Sequence, residues 1–221
     1  MLSFDKHVPR DADDGATVLV LLHGRGSHGG DLQALAPWLP KGWGLLTPQA
    51  PHLASPWGYG PGWAWYRYVD GDRLVSDTLD RSLSELDTFL DEIPDLIRLR
   101  PGRLVLGGFS QGGTTSLAYA LTRPGRATAV LNFSGFLADT ELIDPGDLSP
   151  DATSVFWAHG TRDGNIPFAL AADGRARLTR AGVPLTVRDY EIGHWMVQSE
   201  VTDAVTFLEE LPTIERAVRR G

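Results

Sequence analysis

The segment that most constrains the fold is a glycine-rich stretch at residues 107–113, between an apolar run (104–106) and a segment rich in small residues (114–122). Such a stretch predicts a tight turn from a strand into a helix. Glycines two positions before and two after Ser110 match the GxSxG pattern, in which a strained turn exposes a serine hydroxyl for nucleophilic attack. A strand-to-helix turn that merely carries a serine has the same pattern, so the partners of Ser110 must decide between the two interpretations.

Strand and helix patterns alternate along the chain. Residues 17–22 form a continuous β-branched and leucine run, typical of a strand buried on both faces of a parallel sheet. This alternation predicts an α/β fold of three layers, with a mostly parallel central sheet flanked by helices. Further strands are predicted at 43–47, 103–106, 127–133, 154–158 and 184–190, and helices at 31–39, 75–97, 114–122, 167–181 and 197–211.

Length, charge and cysteine content exclude several classes of protein. A chain of 221 residues that is 42% hydrophobic predicts one domain over residues 1–221. The formal net charge of -8 argues against nucleic acid and anionic membrane surfaces as partners. The absence of cysteine excludes disulfides, thiolate metal sites and a cysteine nucleophile. No apolar run has the length of a signal peptide core or a membrane span, so we expect no transmembrane anchor and a cytoplasmic protein.

Two polar loops follow later predicted strands, and both bear on Ser110. In a parallel sheet, catalytic groups gather outside the carboxyl ends of the strands. The strand at 154–158 leads into a loop with Asp163, and the strand at 184–190 leads into a loop with His194. The chain order Ser, Asp, His is that of the catalytic triad in α/β-hydrolases. We therefore predict Ser110 as nucleophile, His194 as general base and Asp163 as the residue that orients the imidazole.

A serine nucleophile also needs hydrogen-bond donors for the negative charge of the tetrahedral intermediate. The backbone N–H of Gln111, directly after Ser110, and that of Arg25, in the turn after residues 17–22, are predicted to form this oxyanion hole. Their side chains could contact the substrate or point to solvent, and the sequence leaves both possibilities open.

Other residues and motifs in the sequence suggest alternative sites or alternative catalytic residues. Residues 24–29 match the GxGxxG pattern of dinucleotide sites, but after the next predicted strand no acidic residue appears until Asp70. The six histidines lack metal-ligand spacing, so no metal site is predicted. Ser134 has no glycine two residues upstream and is expected in the pocket wall. Three aspartates compete with Asp163 as the acid and match the required position less well: Asp139, Asp144 and Asp189.

Five motifs together resemble the phospholipase/carboxylesterase family of α/β-hydrolases, which includes the acyl-protein thioesterases. They are LLHGRGS (21–27), GFSQGG (108–113), NFSG (132–135), HGTRD (159–163) and GHW (193–195), and the resemblance covers about residues 17–210. It implies an α/β-hydrolase fold and a cofactor-free serine hydrolase that acts on small-molecule esters or thioesters, often as a homodimer. A carboxylesterase or lysophospholipase-like activity is the leading hypothesis. A thioesterase or acyltransferase would use the same residues, and a non-catalytic binding protein of this fold is the alternative of a different class.

Two departures from the family pattern lie beside the predicted site. Arg25 stands where a small or apolar residue is expected, and the aromatic segment that begins at His52 is longer than usual. We predict the segment 52–73 to be an irregular loop that forms a substrate wall, a partner surface or simply a packed region. The predicted substrate-binding side chains are Trp65, Tyr66 and Trp195. Residues 212–221 are expected to be a frayed tail or a surface helix.

Overall fold

The computed structural model describes residues 1–143 and 153–212 of the chain. Its strands are β1 (Phe4–His7), β2 (Thr17–Leu22), β3 (Gly44–Pro48), β4 (His52–Leu53), β5 (Trp63–Ala64), β6 (Tyr68–Asp70), β7 (Arg73–Leu74), β8 (Arg103–Phe109), β9 (Ala129–Phe133), β10 (Ser154–Gly160) and β11 (Leu185–Tyr190). Its helices are α1 (Ser76–Ile97), α2 (Gln111–Thr122), α3 (Phe168–Arg180) and α4 (Gln198–Glu210), with 3-10 helices at Gly29–Trp38 and Ser55–Trp57.

Seven strands form the central sheet, in the order β1-β3-β2-β8-β9-β10-β11. All neighbours run parallel except β1, which pairs antiparallel with β3 at one edge. The chain adds strands on one side of β2 first and then, from β8 onward, on the other side. The strand order therefore reverses between β2 and β8, and sheets of this kind bind ligands outside the carboxyl ends of the strands at such a point.

The alternation of side chains along β2 explains the layers. All six residues of β2 are buried. Val18, Val20 and Leu22 pack with apolar residues of α1 and α2 on one face of the sheet. On the other face, Leu19 and Leu21 pack with the 3-10 helix Gly29–Trp38 and with α4. Because successive side chains of a strand point to opposite faces, one continuous apolar run supports two helical layers. The predicted three-layer α/β arrangement is confirmed.

Three elements differ from their sequence predictions. β1 lies in the charged N-terminal segment, where no strand was predicted, and its mostly exposed edge position requires no apolar alternation. The helix predicted at 31–39 is a 3-10 helix with Pro37 inside it, and proline cannot donate the backbone hydrogen bond of an α-helix. The predicted loop 52–73 contains two short antiparallel ribbons, β4 with β5 and β6 with β7.

Two parts of the chain, 144–152 and 213–221, lie outside the described residues. The predicted tail at 212–221 falls almost wholly in the second, and the competing carboxylate of Asp144 falls in the first. The organisation of residues 1–221 as one domain stays a prediction. Within residues 1–143 and 153–212, none of the helices combines the length and the apolar character needed to cross a membrane.

The start of α4 is held by a buried carboxyl group a few residues after His194. Glu200 accepts a hydrogen bond from the backbone N–H of Val197 through Oε2 at 2.8 Å. The residue is fully buried, and its Oε1 has no hydrogen-bond partner in the described part of the chain. Burial raises the pKa of Glu200 to about 7, because a charged carboxylate is poorly solvated there, and the Val197 hydrogen bond opposes this rise.

We expect Glu200→Gln to remove a pH dependence of the free energy of unfolding. Since burial raises the folded-state pKa above the ordinary value of 4.5, the protonated group contributes its full stability below that pH. The contribution is lost as the pH rises to about 7. Gln keeps an oxygen for Val197 and stays neutral, so above pH 7 the variant should be more stable than the parent by about 1–3 kcal/mol.

Urea unfolding at about pH 5 and about pH 8 measures this effect. The difference in free energy of unfolding between variant and parent should change between the two pH values. Glu209→Gln, on the exposed side of α4, is the control and should leave the pH dependence unchanged. An identical pH dependence in Glu200→Gln and the parent would contradict the prediction.

Candidate active site

Ser110 occupies a strained turn between β8 and α2. Its backbone has φ 54° and ψ -116°, in a region that residues with side chains rarely adopt. The N–H of Ser110 donates to the carbonyl of Phe133 at the end of β9, at 2.8 Å. The N–H of Thr114, in the first turn of α2, donates to the Ser110 carbonyl at 3.1 Å. The strained conformation is therefore held from both sides, by the sheet and by the helix.

The glycines of the GxSxG pattern are required by close backbone contacts. A Cβ atom at Gly108 would collide with the Leu22 carbonyl oxygen at the end of β2 and would lie 2.7 Å from the carbonyl carbon of Gly112. A Cβ atom at Gly112 would collide with the same Leu22 oxygen. Only glycine allows the start of α2 to pack directly on the end of β2, and this packing brings Ser110 next to the loop that follows β2.

His194 bridges Ser110 and Asp163. Its Nε2 lies 2.9 Å from Ser110 Oγ, and its Nδ1 lies 2.6 Å from Asp163 Oδ2. Since an ionised carboxylate only accepts hydrogen bonds, Nδ1 carries the proton and Nε2 is free to accept from the serine hydroxyl. The imidazole also packs against the Phe109 ring, with centroids 4.8 Å apart. The three predicted side chains thus form one hydrogen-bonded line.

The carboxylate of Asp163 is fixed by its own loop. Its side chain is fully buried, and Oδ1 accepts from the backbone N–H groups of Asn165 and Ile166, each at 2.8 Å. These bonds leave Oδ2 directed at His194. The competing aspartates lie elsewhere: Asp189 pairs with Arg175 at 2.7 Å, and Asp139 is bound through its backbone to Asp72.

The loop after β2 presents the second predicted backbone donor. In the described part of the chain, the N–H groups of Arg25 and Gln111 have no hydrogen-bond acceptor. The residues around Arg25 are tied down: Gly26 N–H donates to Trp63 O, and Trp63 N–H donates to Ser27 O, both at 2.8 Å. Arg25, Ser110 and Gln111 line the same cavity. One unpaired N–H group on the fixed loop after β2 and one at the start of α2 therefore belong to residues that share a cavity with Ser110.

A buried histidine supports this loop from below. His23 accepts from Ala50 N–H through Nε2 at 3.1 Å, so its Nδ1–H donates to the Gly24 carbonyl at 2.8 Å. Burial lowers the pKa of His23 to about 4, which keeps the imidazole neutral. His23 thus organises the loop by hydrogen bonding.

The side chain of Gln111 is buried, and both ends of its amide group are hydrogen-bonded. Its Oε1 accepts from Trp65 N–H at 2.8 Å, and its Nε2 donates to Tyr66 O at 2.8 Å. The neighbouring Ser82 hydroxyl donates to the Trp65 carbonyl. The residue after the nucleophile therefore fixes the backbone of the aromatic segment, a function that sequence reasoning missed because the partners are 46 and 45 positions away.

The prediction that Trp65 contacts substrate is wrong. Trp65 is 0% exposed and does not line the cavity. Its indole N–H donates to His23 O at 3.0 Å, beneath the loop that carries Arg25. The ring thus supports the backbone around the site instead of meeting a ligand.

Beside Ser110 lies a cavity of about 320 Å³. Tyr66, one of the three predicted substrate-binding residues, lines it, whereas Trp195 is 56% exposed, lies outside the lining and rests against Gly193. Ser134, expected in the wall, is fully buried. Five other aromatic and aliphatic residues line the cavity, and none of them is among the predicted substrate-binding side chains: Tyr68 in β6, Phe109 at the end of β8, Phe136 after β9, and Ile166 and Leu170 after β10.

We expect Gln111→Ala to destabilise the protein and to lower activity. The substitution keeps the backbone N–H of residue 111 but leaves Trp65 N–H and Tyr66 O buried without partners, at a cost of about 2–4 kcal/mol. Thermal unfolding and kcat/KM on a neutral ester measure the two effects. Gln198→Ala, at the first residue of α4, is the matched control, and equal stability of the two variants would contradict the scaffold role of the Gln111 amide.

Comparison with known proteins agrees with this architecture. The model of the phospholipase/carboxylesterase family matches residues 5–211. Acyl-protein thioesterase 1 of Kluyveromyces lactis is 26% identical over 219 residues, covering 92% of this chain and 95% of the relative. The crystal structure of esterase PE8 is 27% identical with a TM-score of 0.77, covering 96% of this chain and 99% of that chain.

The crystal structure of the Bacillus cereus carboxylesterase is 22% identical with a TM-score of 0.76, covering 95% of this chain and 94% of that chain. This likeness bears on the fold alone, and it confirms the predicted α/β-hydrolase architecture. Because the family model spans nearly the whole sequence, the chain belongs to the phospholipase/carboxylesterase family of α/β-hydrolases.

Proposed function

We propose that the protein hydrolyses carboxylic esters of small molecules through an acyl-enzyme formed on Ser110. Membership of the family makes it a serine hydrolase of esters or thioesters. The observation that carries the finer proposal is the line from Ser110 Oγ through His194 to Asp163, with hydrogen bonds of 2.9 Å and 2.6 Å. A line of this kind activates a serine hydroxyl that would otherwise be a weak nucleophile.

In the first half of the reaction, His194 Nε2 takes the hydroxyl proton as Ser110 Oγ attacks the acyl carbonyl carbon. The negative charge that forms on the carbonyl oxygen is stabilised by the backbone N–H groups of Arg25 and Gln111. His194 then protonates the leaving alcohol as the bond from the carbonyl carbon to that oxygen breaks. Asp163 holds the ring in the required tautomer and stabilises the imidazolium.

In the second half, water takes the place of the alcohol. His194 removes a proton from the water as its oxygen attacks the acyl carbon, and the proton passes to Ser110 Oγ as the acid leaves. The same two N–H groups stabilise the negative charge of the second tetrahedral intermediate. The apolar walls formed by Phe136, Ile166 and Leu170 suit one arm of such a substrate.

A thioesterase or acyltransferase is the second candidate, since it would use the same triad. The K. lactis relative is named an acyl-protein thioesterase, which favours the thioester alternative. A binding protein without activity is the candidate of a different class, and the continuous hydrogen-bonded line argues against it. A homodimer and a cytoplasmic location, implied by the resemblance and by the sequence, stay predictions.

We expect Ser110→Ala to lower kcat/KM on p-nitrophenyl butyrate by about a thousandfold or more and to abolish labelling by a fluorophosphonate probe. Asp163→Asn should lower kcat by up to about ten-thousandfold, because the imidazole is then held in the wrong tautomer. Ser134→Ala is the matched control, since Ser134 is a second buried serine with positive φ, 53°, directly after β9. Labelling that survives in Ser110→Ala would exclude the nucleophile role.

Matched substrates separate the two activities. We expect kcat/KM on ethyl butyrate to equal or exceed that on S-ethyl thiobutyrate in a pH-stat assay, because an esterase site stabilises the transition state of the less reactive ester. Alkaline hydrolysis of both compounds without enzyme gives the intrinsic reactivity as a control. An enzymatic preference for the thioester beyond that intrinsic ratio would assign the protein to thioester hydrolysis.

A further inference from the structure

The side chain of Arg25 is a cation at the active-site cavity. The residue is exposed and lines the cavity together with Ser110. In the described part of the chain, its guanidinium donates no hydrogen bond and has no carboxylate within 4.0 Å. Its positive charge is therefore not neutralised by a neighbouring side chain.

The guanidinium rests on a fixed aromatic ring. Its central carbon lies 4.8 Å from the centroid of Tyr59, a cation–π contact. The Tyr59 hydroxyl accepts from the backbone N–H of Tyr68 at 2.7 Å, and its ring packs edge-on against Trp57 with centroids 5.9 Å apart. Because stacking uses the face of the guanidinium, its N–H groups stay available to bind a ligand.

In the described part of the chain, no other charged side chain near the cavity forms an ion pair with Arg25. Asp31 also lines the cavity, but its Oδ2 accepts from the Ser27 hydroxyl at 2.7 Å and makes no ion pair with Arg25. Asp163 is buried behind His194. Burial raises the pKa of the Tyr66 phenol, and the nearby positive charge of Arg25 opposes this rise.

The two ends of the cavity differ in chemistry. Arg25 follows β2, which is the neighbour of β8 on one side of Ser110. Ile166 and Leu170 follow β10, two strands beyond β8 on the other side. Ser110 therefore lies between a cationic end and an apolar end. A substrate that matches both ends has one apolar arm and one arm with a negative charge.

We propose that Arg25 selects esters that carry an anionic group, a carboxylate or a phosphate, on the arm that lies toward the end of β2. This inference rests on the proposed function of Ser110 and names the substrate class for that site. The planar guanidinium pairs two oxygens of such a group side by side, which a lysine ammonium cannot do. The charge can come from the acid part or from the alcohol part of the ester.

Two pairs of substrates distinguish these sources. The acyl pair is p-nitrophenyl monoglutarate against p-nitrophenyl hexanoate, and the alcohol pair is the butyrate ester of p-hydroxybenzoate against that of its methyl ester. We expect kcat/KM for the anionic member of one pair to exceed kcat/KM for its neutral partner about tenfold. Arg25→Gln should abolish this preference and bring the ratio of the two kcat/KM values near one, and Arg25→Lys should retain only part of the preference. Added salt should lower the ratio in the parent protein.

Arg180→Gln is the control for net charge, since Arg180 is an exposed residue at the end of α3 and outside the cavity lining. The ratio of kcat/KM for the anionic ester to that for the neutral ester should be the same in Arg180→Gln as in the parent. A ratio near one for both pairs in the parent would overturn the proposal, as would a preference that survives Arg25→Gln or falls equally in Arg180→Gln. In that event the cation–π contact between Arg25 and Tyr59 has a structural role only.

Binding to the Ser110→Ala protein tests the inference without turnover. By calorimetric titration, the favoured anionic ester should bind this variant about tenfold more tightly than its neutral partner, and adding Arg25→Gln should remove the difference. Equal binding of the two esters would overturn the inference even if every ester is hydrolysed. If the parent hydrolyses no ester, the proposed function fails, and the titration still decides the role of Arg25.

Discussion

The close contact between the start of α2 and the end of β2 is the constraint on which the site depends. Gly108 and Gly112 let the Leu22 carbonyl approach the turn directly, so Ser110 stands next to the loop after β2. The unpaired N–H groups of Gln111 and Arg25 belong to the first residue of α2 and to the loop after β2. A larger residue at either glycine would separate the hydroxyl from the donors that we propose stabilise its adduct.

The aromatic segment works mainly as a frame for this contact. Trp63 holds the loop around Arg25 through two backbone hydrogen bonds, and the Gln111 amide binds the backbone of Trp65 and Tyr66. Buried polar groups with complete hydrogen bonding specify one arrangement of the chain. The segment therefore rigidifies the backbone around both N–H groups, while Tyr66 lines the cavity and the Tyr59 ring supports the guanidinium of Arg25.

The charged and the apolar parts of the cavity come from loops that follow different strands of the sheet. The loops after β2 contribute the cation and polar groups, and those after β9 and β10 contribute Phe136, Ile166 and Leu170. Family membership accounts for the nucleophile turn and for hydrolysis of esters or thioesters. Arg25, which departs from the expected family pattern, lies at the end of the cavity that follows β2, where we propose that it bears on selectivity.

The sequence by itself determined the alternation of strands and helices, the family, and the candidate residues Ser110, Asp163 and His194, because apolar periodicity and positions after strand ends are local patterns. The tertiary structure alone decided the pairing of β1, the burial of Trp65 and the partners of the Gln111 amide. Those features depend on contacts such as the one between Trp65 and Gln111, 46 positions apart. A side chain's partner across such a distance is set by packing, which leaves no periodic signal in the sequence.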